Sequence, residues 1–141
     1  MLHELGTVHI VLCGTALRCP ILDLLDGLAG GDRVEDRINY FERMLAENPD
    51  NPTGLLALAN EYRKVERYED EAATLERYVA THEDDEGNAY ARLGDVLSHL
   101  GRNEEARAAY ATGIRQAEKY VHSGMADDLR LAIIRLGQQD D

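Results

Sequence analysis

One pattern repeats through the middle of the chain: a pair of amphipathic helices recurs every 34 or 35 residues. Leu58 and Leu93 occupy equivalent places 35 residues apart, and Ala72 and Ala106 are 34 residues apart. A unit of this length cannot bury its own apolar face, so successive units must stack to form a continuous core. The recurrence therefore predicts an all-α chain built from stacked antiparallel helix pairs, which is the architecture of an α-solenoid.

Capping and charge signals set the limits of these helices. Asn51 and Pro52 favour a helix start, because Asn caps an N-terminus and Pro fits the first helical position. The acidic residues 69–71 favour the opening turn of a second helix. Gly101 is expected to end one helix in the left-handed conformation, and Asn103 is expected to cap the next. We predict helices over 33–48, 52–66, 69–82, 88–100, 103–121 and 125–137.

The second unit carries a recognisable order of aromatic, Leu-Gly and Leu positions, followed by Ala and a second aromatic residue. These residues are Tyr90, Leu93, Gly94, Leu97, Ala106 and Tyr110. The pattern resembles the tetratricopeptide-repeat family. Its small residues, Gly94 and Ala106, are expected to face each other where the two helices approach most closely. The counterparts in the first unit are Leu58, Ala59, Tyr62 and Ala72.

The resemblance covers about residues 33–137. Within the family, the chain is most similar to the small, stand-alone bacterial members. The resemblance implies two full repeats, preceded by a half repeat and followed by a helix that caps the last repeat. We therefore predict an N-terminal extension over 1–31, a helical repeat domain over 32–137 and a short tail over 138–141.

The N-terminal extension leaves three interpretations open. Residues 5–17 are mostly apolar, but a stretch of this length is too short to span a bilayer as a helix. A signal peptide would begin with basic residues, and this chain has His3 and Glu4 there. The segment is an extension that packs on the domain, a weak export signal, or a translated leader. Cys13 and Cys19 are interpreted as reduced thiols, which predicts a cytoplasmic protein.

Composition limits the classes of partner. The chain has 27 acidic residues against 15 Lys and Arg, which gives a formal net charge of −12. A nucleic-acid-binding surface needs Lys and Arg to displace counterions, and anionic lipid attracts the same residues. We therefore expect neither nucleic acid nor a membrane as partner. Aromatic residues are only 6% of the chain, which is poor material for a cofactor pocket, so no cofactor is predicted.

Catalytic motifs are absent from the sequence. The only serines, Ser98 and Ser123, do not lie in a glycine-rich elbow, and no glycine-rich phosphate loop is present. His82 and the acidic residues 83–86 lack the alternating ligands and central Gly of a calcium loop, so they are expected to form a solvated turn. We predict no catalytic residue and no metal site, and hence not an enzyme.

The sequence supports a binding function better than a catalytic one. In the tetratricopeptide-repeat family, the first helices of successive repeats line a groove that receives a peptide or a partner's helix. The resemblance places Asn60 where the family can hold a bound peptide's backbone or C-terminal carboxylate, while the lysine expected one turn earlier is Leu56. The predicted groove residues are Leu56, Asn60, Arg63, Lys64, Asn88, Arg92, Asp95, Ser98 and His99. This predicts a non-catalytic adaptor or assembly factor.

Two other roles stay open, of which structural self-assembly comes before a metal-dependent or enzymatic role. The half repeat has no helix of its own to cover its apolar residues Phe41, Met44 and Leu45. Either residues 1–31 or a second chain must cover that face, and isologous pairing is the commonest solution among soluble oligomers. We favour a homodimer through the N-terminal half over a monomer.

Overall fold

The computed structural model describes residues 31–139, and all of their regular secondary structure is α-helical. The described helices are α1 (Gly31–Glu47), α2 (Pro52–Lys64), α3 (Tyr68–Thr81), α4 (Asn88–His99), α5 (Asn103–Lys119) and α6 (Ser123–Gln139). The predictions for residues 1–30, including the thiols of Cys13 and Cys19, lie outside the described residues, as do residues 140–141. The chain divides into two units, Met1–Asp36 and Arg37–Asp141, and the packing below belongs to the second.

Each predicted helix is present, and each observed end lies within two residues of the predicted one. Two of the two-residue differences follow from backbone geometry. Glu66 and Val121 adopt φ values of +59° and +65°, so α2 and α5 end before them. Gly101 has φ +75° after α4, as predicted. In all three turns a backbone N–H beyond the helix reaches back to a carbonyl of its last turn, as Arg102 N does to Leu97 O at 2.9 Å.

The two predicted N-caps have different outcomes. The Asn51 side-chain oxygen accepts the backbone N–H of Gly54 at 2.9 Å, and Pro52 is the first residue of α2, as predicted. The prediction for Asn103 was wrong. The helix α5 begins at Asn103 itself, and Arg102 occupies the cap position without a side-chain cap bond, because an arginine side chain has no acceptor for a backbone N–H. Its guanidinium donates to Glu105 and Glu76.

The helices of the second unit pack mainly against their neighbours in sequence, from α2 on α3 through to α5 on α6. Short connections join them, which brings consecutive helices together as antiparallel pairs. One core runs through both repeats and into α6. Its buried members are Ala59, Ala72, Leu75, Leu93, Val96, Leu97, Ala106, Ala109, Tyr110, Leu129 and Leu136. Among the predicted structural positions, Leu58 and Tyr62 are also buried and Tyr90 is half-buried.

The close approach at Gly94 differs from the prediction. A Cβ atom on Gly94 would lie 2.4 Å from Cε1 and 2.5 Å from Cδ1 of Tyr110, so the nearest side chain is this ring and not Ala106. The Tyr110 hydroxyl donates to Oδ1 of Asp95 at 2.7 Å, which fixes the ring across the glycine. The absence of a side chain at Gly94 therefore leaves the space that the Tyr110 ring fills. Ala106 is also buried.

The last helix covers the second repeat on one side only. Ala126, Leu129 and Leu136 of α6 are buried, as expected for a helix that caps the repeat. Leu131 and Ile134 point away from these residues around the helix and remain about half exposed. The capping helix therefore presents a small apolar area to solvent.

Candidate functional site

Three of the predicted groove residues lie together between α2 and α4: Asn60 and Arg92 are hydrogen-bonded to each other, and Arg63 shares a carboxylate partner with Arg92. Nη2 of Arg92 donates to Oδ1 of Asn60 at 2.8 Å, so this contact joins the first helices of the two repeats. An arginine can only donate, so the Asn60 atom that faces it must be the oxygen. The Asn60 amide nitrogen is consequently left as a donor. This group offers hydrogen-bond donors to a ligand, from Asn60, Arg63 and Arg92.

A buried carboxylate lies beneath the two arginines. Glu71, at the start of α3, has a fully buried side chain, and its Oε1 accepts Nε of Arg63 at 2.8 Å. Nη2 of Arg92 lies 3.9 Å from the same oxygen. Burial raises the pKa of the Glu71 carboxyl, and the charge of Arg63 offsets part of that rise. Burial also lowers the pKa of Arg92, while Glu71 opposes that change. One carboxylate thus holds arginines from α2 and α4.

The remaining predicted groove residues of α2 divide between packing and pairing. Leu56 is half-buried and packs on the core. The position where the family has a lysine is therefore occupied here by an apolar side chain. Lys64 pairs with Oε1 of Glu61 at 2.9 Å, and Arg37 of α1 reaches the same oxygen at 2.8 Å. Glu61 is buried like Glu71. A second buried carboxylate therefore connects α2 to the preceding helix.

On α4, the predicted groove residues have different surroundings. Asn88 and Asp95 are exposed and Ser98 is half-buried. His99 is exposed at the end of the helix, and its ring lies 4.2 Å from the ring of Tyr68, with an angle of 55° between the planes. At the end of α4, the His99 ring therefore contacts α3.

Sequence reasoning did not single out Tyr68 or Glu71 as parts of this site. Both lie in the first turn of α3, which the pattern assigns to the second helix of a pair, away from the groove-lining set. The acidic opening turn did predict a negative charge there, but the dipole argument gives Glu69, Asp70 and Glu71 the same role. Glu71 differs from Glu69 and Asp70 because arginines from both α2 and α4 lie against its carboxylate.

Acidic side chains in the connection between α3 and α4 form hydrogen bonds and ion pairs with other residues of the chain. Oδ1 of Asp85 accepts the backbone N–H groups of Gly87 and Ala89, both at 2.9 Å. Glu86 lies 3.0 Å from Nε2 of His122, and Asp84 lies 3.5 Å from Nζ of Lys119. Within residues 31–139, no group of three His, Cys, Asp or Glu side chains is arranged to hold a metal ion.

The residues predicted to mediate self-association are partly covered by α2. Leu45 is buried, and Phe41 and Met44 are half-buried. A Cβ atom on Gly54 would lie 2.9 Å from the Met44 methyl and 3.0 Å from Leu45, so both side chains pack on α2. Tyr40, which was not predicted, is the exposed residue of this helix face, with 56% of its surface accessible.

Among the helices of residues 31–139, none combines the length and the apolar composition needed to cross a bilayer.

Comparison with solved structures confirms the predicted fold. The crystal structure of PcrH in complex with the chaperone binding region of PopD matches with a TM-score of 0.68 at 13% identity, covering 91% of this chain and 95% of that one. MamA from AMB-1 matches with a TM-score of 0.57 at 22% identity, covering 82% and 68%. MamA from MSR-1 matches with a TM-score of 0.54 at 22% identity, covering 81% and 71%.

PcrH is a tetratricopeptide-repeat-type chaperone and MamA is tetratricopeptide-repeat-like. The described helices therefore have a tetratricopeptide-repeat-like fold, as the recurring motif predicts. Comparison with protein-family models and with curated proteins finds no match.

Proposed function

We propose that the protein is a non-catalytic adaptor or assembly factor that binds a peptide or a partner's helix in the groove along α2 and α4. The observation that carries the proposal is the donor group of Asn60, Arg63 and Arg92, joined across two repeats by the 2.8 Å contact and supported by buried Glu71. The structure of PcrH with a region of PopD supports it, since a protein of the same fold there holds a segment of another protein.

The chemistry of the donor group indicates what the groove binds. Arginine and the amide nitrogen of asparagine donate only, so the ligand atoms that they meet must be acceptors, such as backbone carbonyls or carboxylates. The positive charges of Arg63 and Arg92 stand out in a chain with a net charge of −12. An acidic or carboxylate-bearing segment is therefore favoured at this end of the groove.

Affinity capture tests this proposal. The tagged protein is used as bait in a lysate of its source cells, beside the variants Arg92→Ala and Arg115→Ala. Arg115 is an exposed cation on α5 that donates to Thr112, so it controls for the loss of one positive charge outside the groove. We expect a protein that the wild type and Arg115→Ala retain and Arg92→Ala loses. Equal retention by all three baits contradicts groove binding.

Self-assembly is the second candidate, and the exposure of Tyr40 favours it. The Tyr40 ring lies edge-on to Phe41 at 5.2 Å, and together they present aromatic surface on α1. Sedimentation velocity at micromolar concentrations should show a dimer whose dissociation constant rises with Tyr40→Ser. A monomer at every concentration contradicts this second role and leaves the groove proposal intact.

A further inference from the structure

A small cleft adjoins the donor group where α2 ends, α3 begins and α4 ends. It has a volume of about 260 Å³ and is lined by Arg63, Tyr68, Asp95, Val96 and His99. Pockets for whole small molecules have volumes of roughly 300–1,000 Å³, so this cleft is suited to one side chain and not to a complete ligand.

The walls of the cleft are suited to an aromatic ring. Tyr68 and His99 form a tilted pair of rings, and the almost fully buried Val96 adds an apolar wall. Aromatic rings favour such tilted or offset contacts with one another, which add to the burial of their area. A neutral ring is therefore favoured over a charged side chain.

Arg63 belongs to both the cleft and the donor group. Arg63 is one of the residues that line the cleft, and its Nε donates to Glu71, which also lies 3.9 Å from Arg92. A ligand ring in the cleft and a ligand acceptor on the arginines must therefore be close neighbours. In an extended segment each residue advances about 3.3 Å, so the two groups belong to residues about one to three positions apart.

The cleft is not a general product of the repeat. The residue 34 positions after Tyr68 is Arg102, which pairs with Glu76 and Glu105. An aromatic wall at this place is thus particular to the first repeat of this chain. Tyr68 packs against the core with part of its side chain, and the cleft that it lines is a feature by which this repeat can select a ligand.

We infer that the groove recognises a segment carrying an aromatic side chain within about three residues of an acidic one. The aromatic ring enters the cleft beside the contacting rings of Tyr68 and His99, and the acidic group accepts hydrogen bonds from Arg63 and Arg92. This inference rests on the proposed function and adds the chemical class of the ligand. It assigns a binding role to Tyr68, which the groove prediction did not include.

Synthetic peptides test the inference on the full chain. Ten-residue peptides with blocked ends carry one Asp and one Phe, two positions apart in a Gly-Ser background. Matched peptides replace Phe or Asp by Ala. Titration to millimolar peptide is followed by amide NMR shifts. We expect the Asp-Phe peptide to bind at least tenfold more tightly than either control.

Protein variants locate the contacts. Tyr68→Ala and His99→Ala should each reduce the advantage of Phe over Ala to less than about threefold while Asp still matters. Arg92→Ala should remove the advantage of Asp. Tyr40→Ala removes an exposed tyrosine outside the cleft and should change neither. Circular dichroism verifies that each variant is folded, and exposed His99 provides a test if Tyr68→Ala is not.

The outcomes separate the inference from the proposed function. If Asp-dependent binding requires Arg92 but Phe adds nothing, the aromatic cleft is refuted and groove binding stands. If the Phe advantage persists in Tyr68→Ala and His99→Ala, the ring binds elsewhere and the inference is wrong. If no peptide binds at millimolar concentration, the inference is wrong, and the capture experiment alone decides the proposed function.

Discussion

Gly94→Ala tests the packing of the second repeat most directly. The new methyl carbon would lie 2.4, 2.5 and 2.8 Å from three carbons of the Tyr110 ring, distances at which the ring must move. Tyr110 is buried, and its hydroxyl is held by Asp95 at 2.7 Å, so movement strains the core and breaks a hydrogen bond.

The expected magnitude combines three contributions. Overpacking costs about 1–3 kcal/mol. Loss of the hydrogen bond costs about 0.5–1.5 kcal/mol. Replacing glycine within a helix contributes about 1 kcal/mol in the opposite direction. The free energy of unfolding should therefore fall by about 0.5–3.5 kcal/mol, as measured by urea unfolding followed by circular dichroism.

Gly137→Ala is the matched control, because it makes the same chemical change in α6 with no atom within 4 Å of the new methyl. It should raise the free energy of unfolding by up to about 1 kcal/mol. In a Tyr110→Leu background, Gly94→Ala should lose most of its cost, since the ring is gone. An unchanged or increased stability of Gly94→Ala in the wild-type background would refute the account of this contact.

Three further predictions concern stability. Val121→Gly should raise the free energy of unfolding by up to about 1 kcal/mol in urea unfolding, because Val121 is exposed and a left-handed conformation costs about 1–2 kcal/mol; an unchanged midpoint contradicts this. Ala106→Leu should lower the free energy of unfolding by about 1–3 kcal/mol, because Ala106 is fully buried. A thermal midpoint within error of that of the wild type would show that the site has space for the larger side chain. Burial and Asp95 raise the pKa of Tyr110, so its stabilising contribution is complete below about pH 10 and is lost as the pH rises through the folded-state pKa. Unfolding curves between pH 9 and about 11.5 should therefore fall more steeply for wild type than for Tyr110→Phe, and parallel curves contradict the assignment.

The sequence predicts the helices well because their signals are local. Asn51, Pro52 and Gly101 act on the backbone within a few residues, and apolar spacing selects the buried face whatever the neighbours are. Two of the ends that differ by two residues involve Glu66 and Val121 in left-handed turns. Neither residue type favours that conformation, so no sequence signal reveals that the helix ends there.

The site is harder to predict because it depends on residues from three helices. Glu71 and Glu105 are 34 residues apart and stand at the same place in the repeat, so the pattern treats them alike. Glu71 is fully buried and held by Arg63, whereas Glu105 is exposed and pairs with Arg102 at the start of its own helix. The difference comes from the helices on either side, which one repeat in isolation does not contain.

Glu71 also bears on the proposed binding role. Burial raises the pKa of its carboxyl, so its stabilising contribution is complete below the unfolded value of about 4.3 and is lost as the pH rises through the folded value. At neutral pH the buried charge is therefore a cost to folding, only partly offset by Arg63, and buried ion pairs are often no more stabilising than apolar residues of similar volume. What the carboxylate does provide is a fixed anchor for two arginines from different helices. Under the proposed function, this anchor would hold both guanidinium groups toward one ligand.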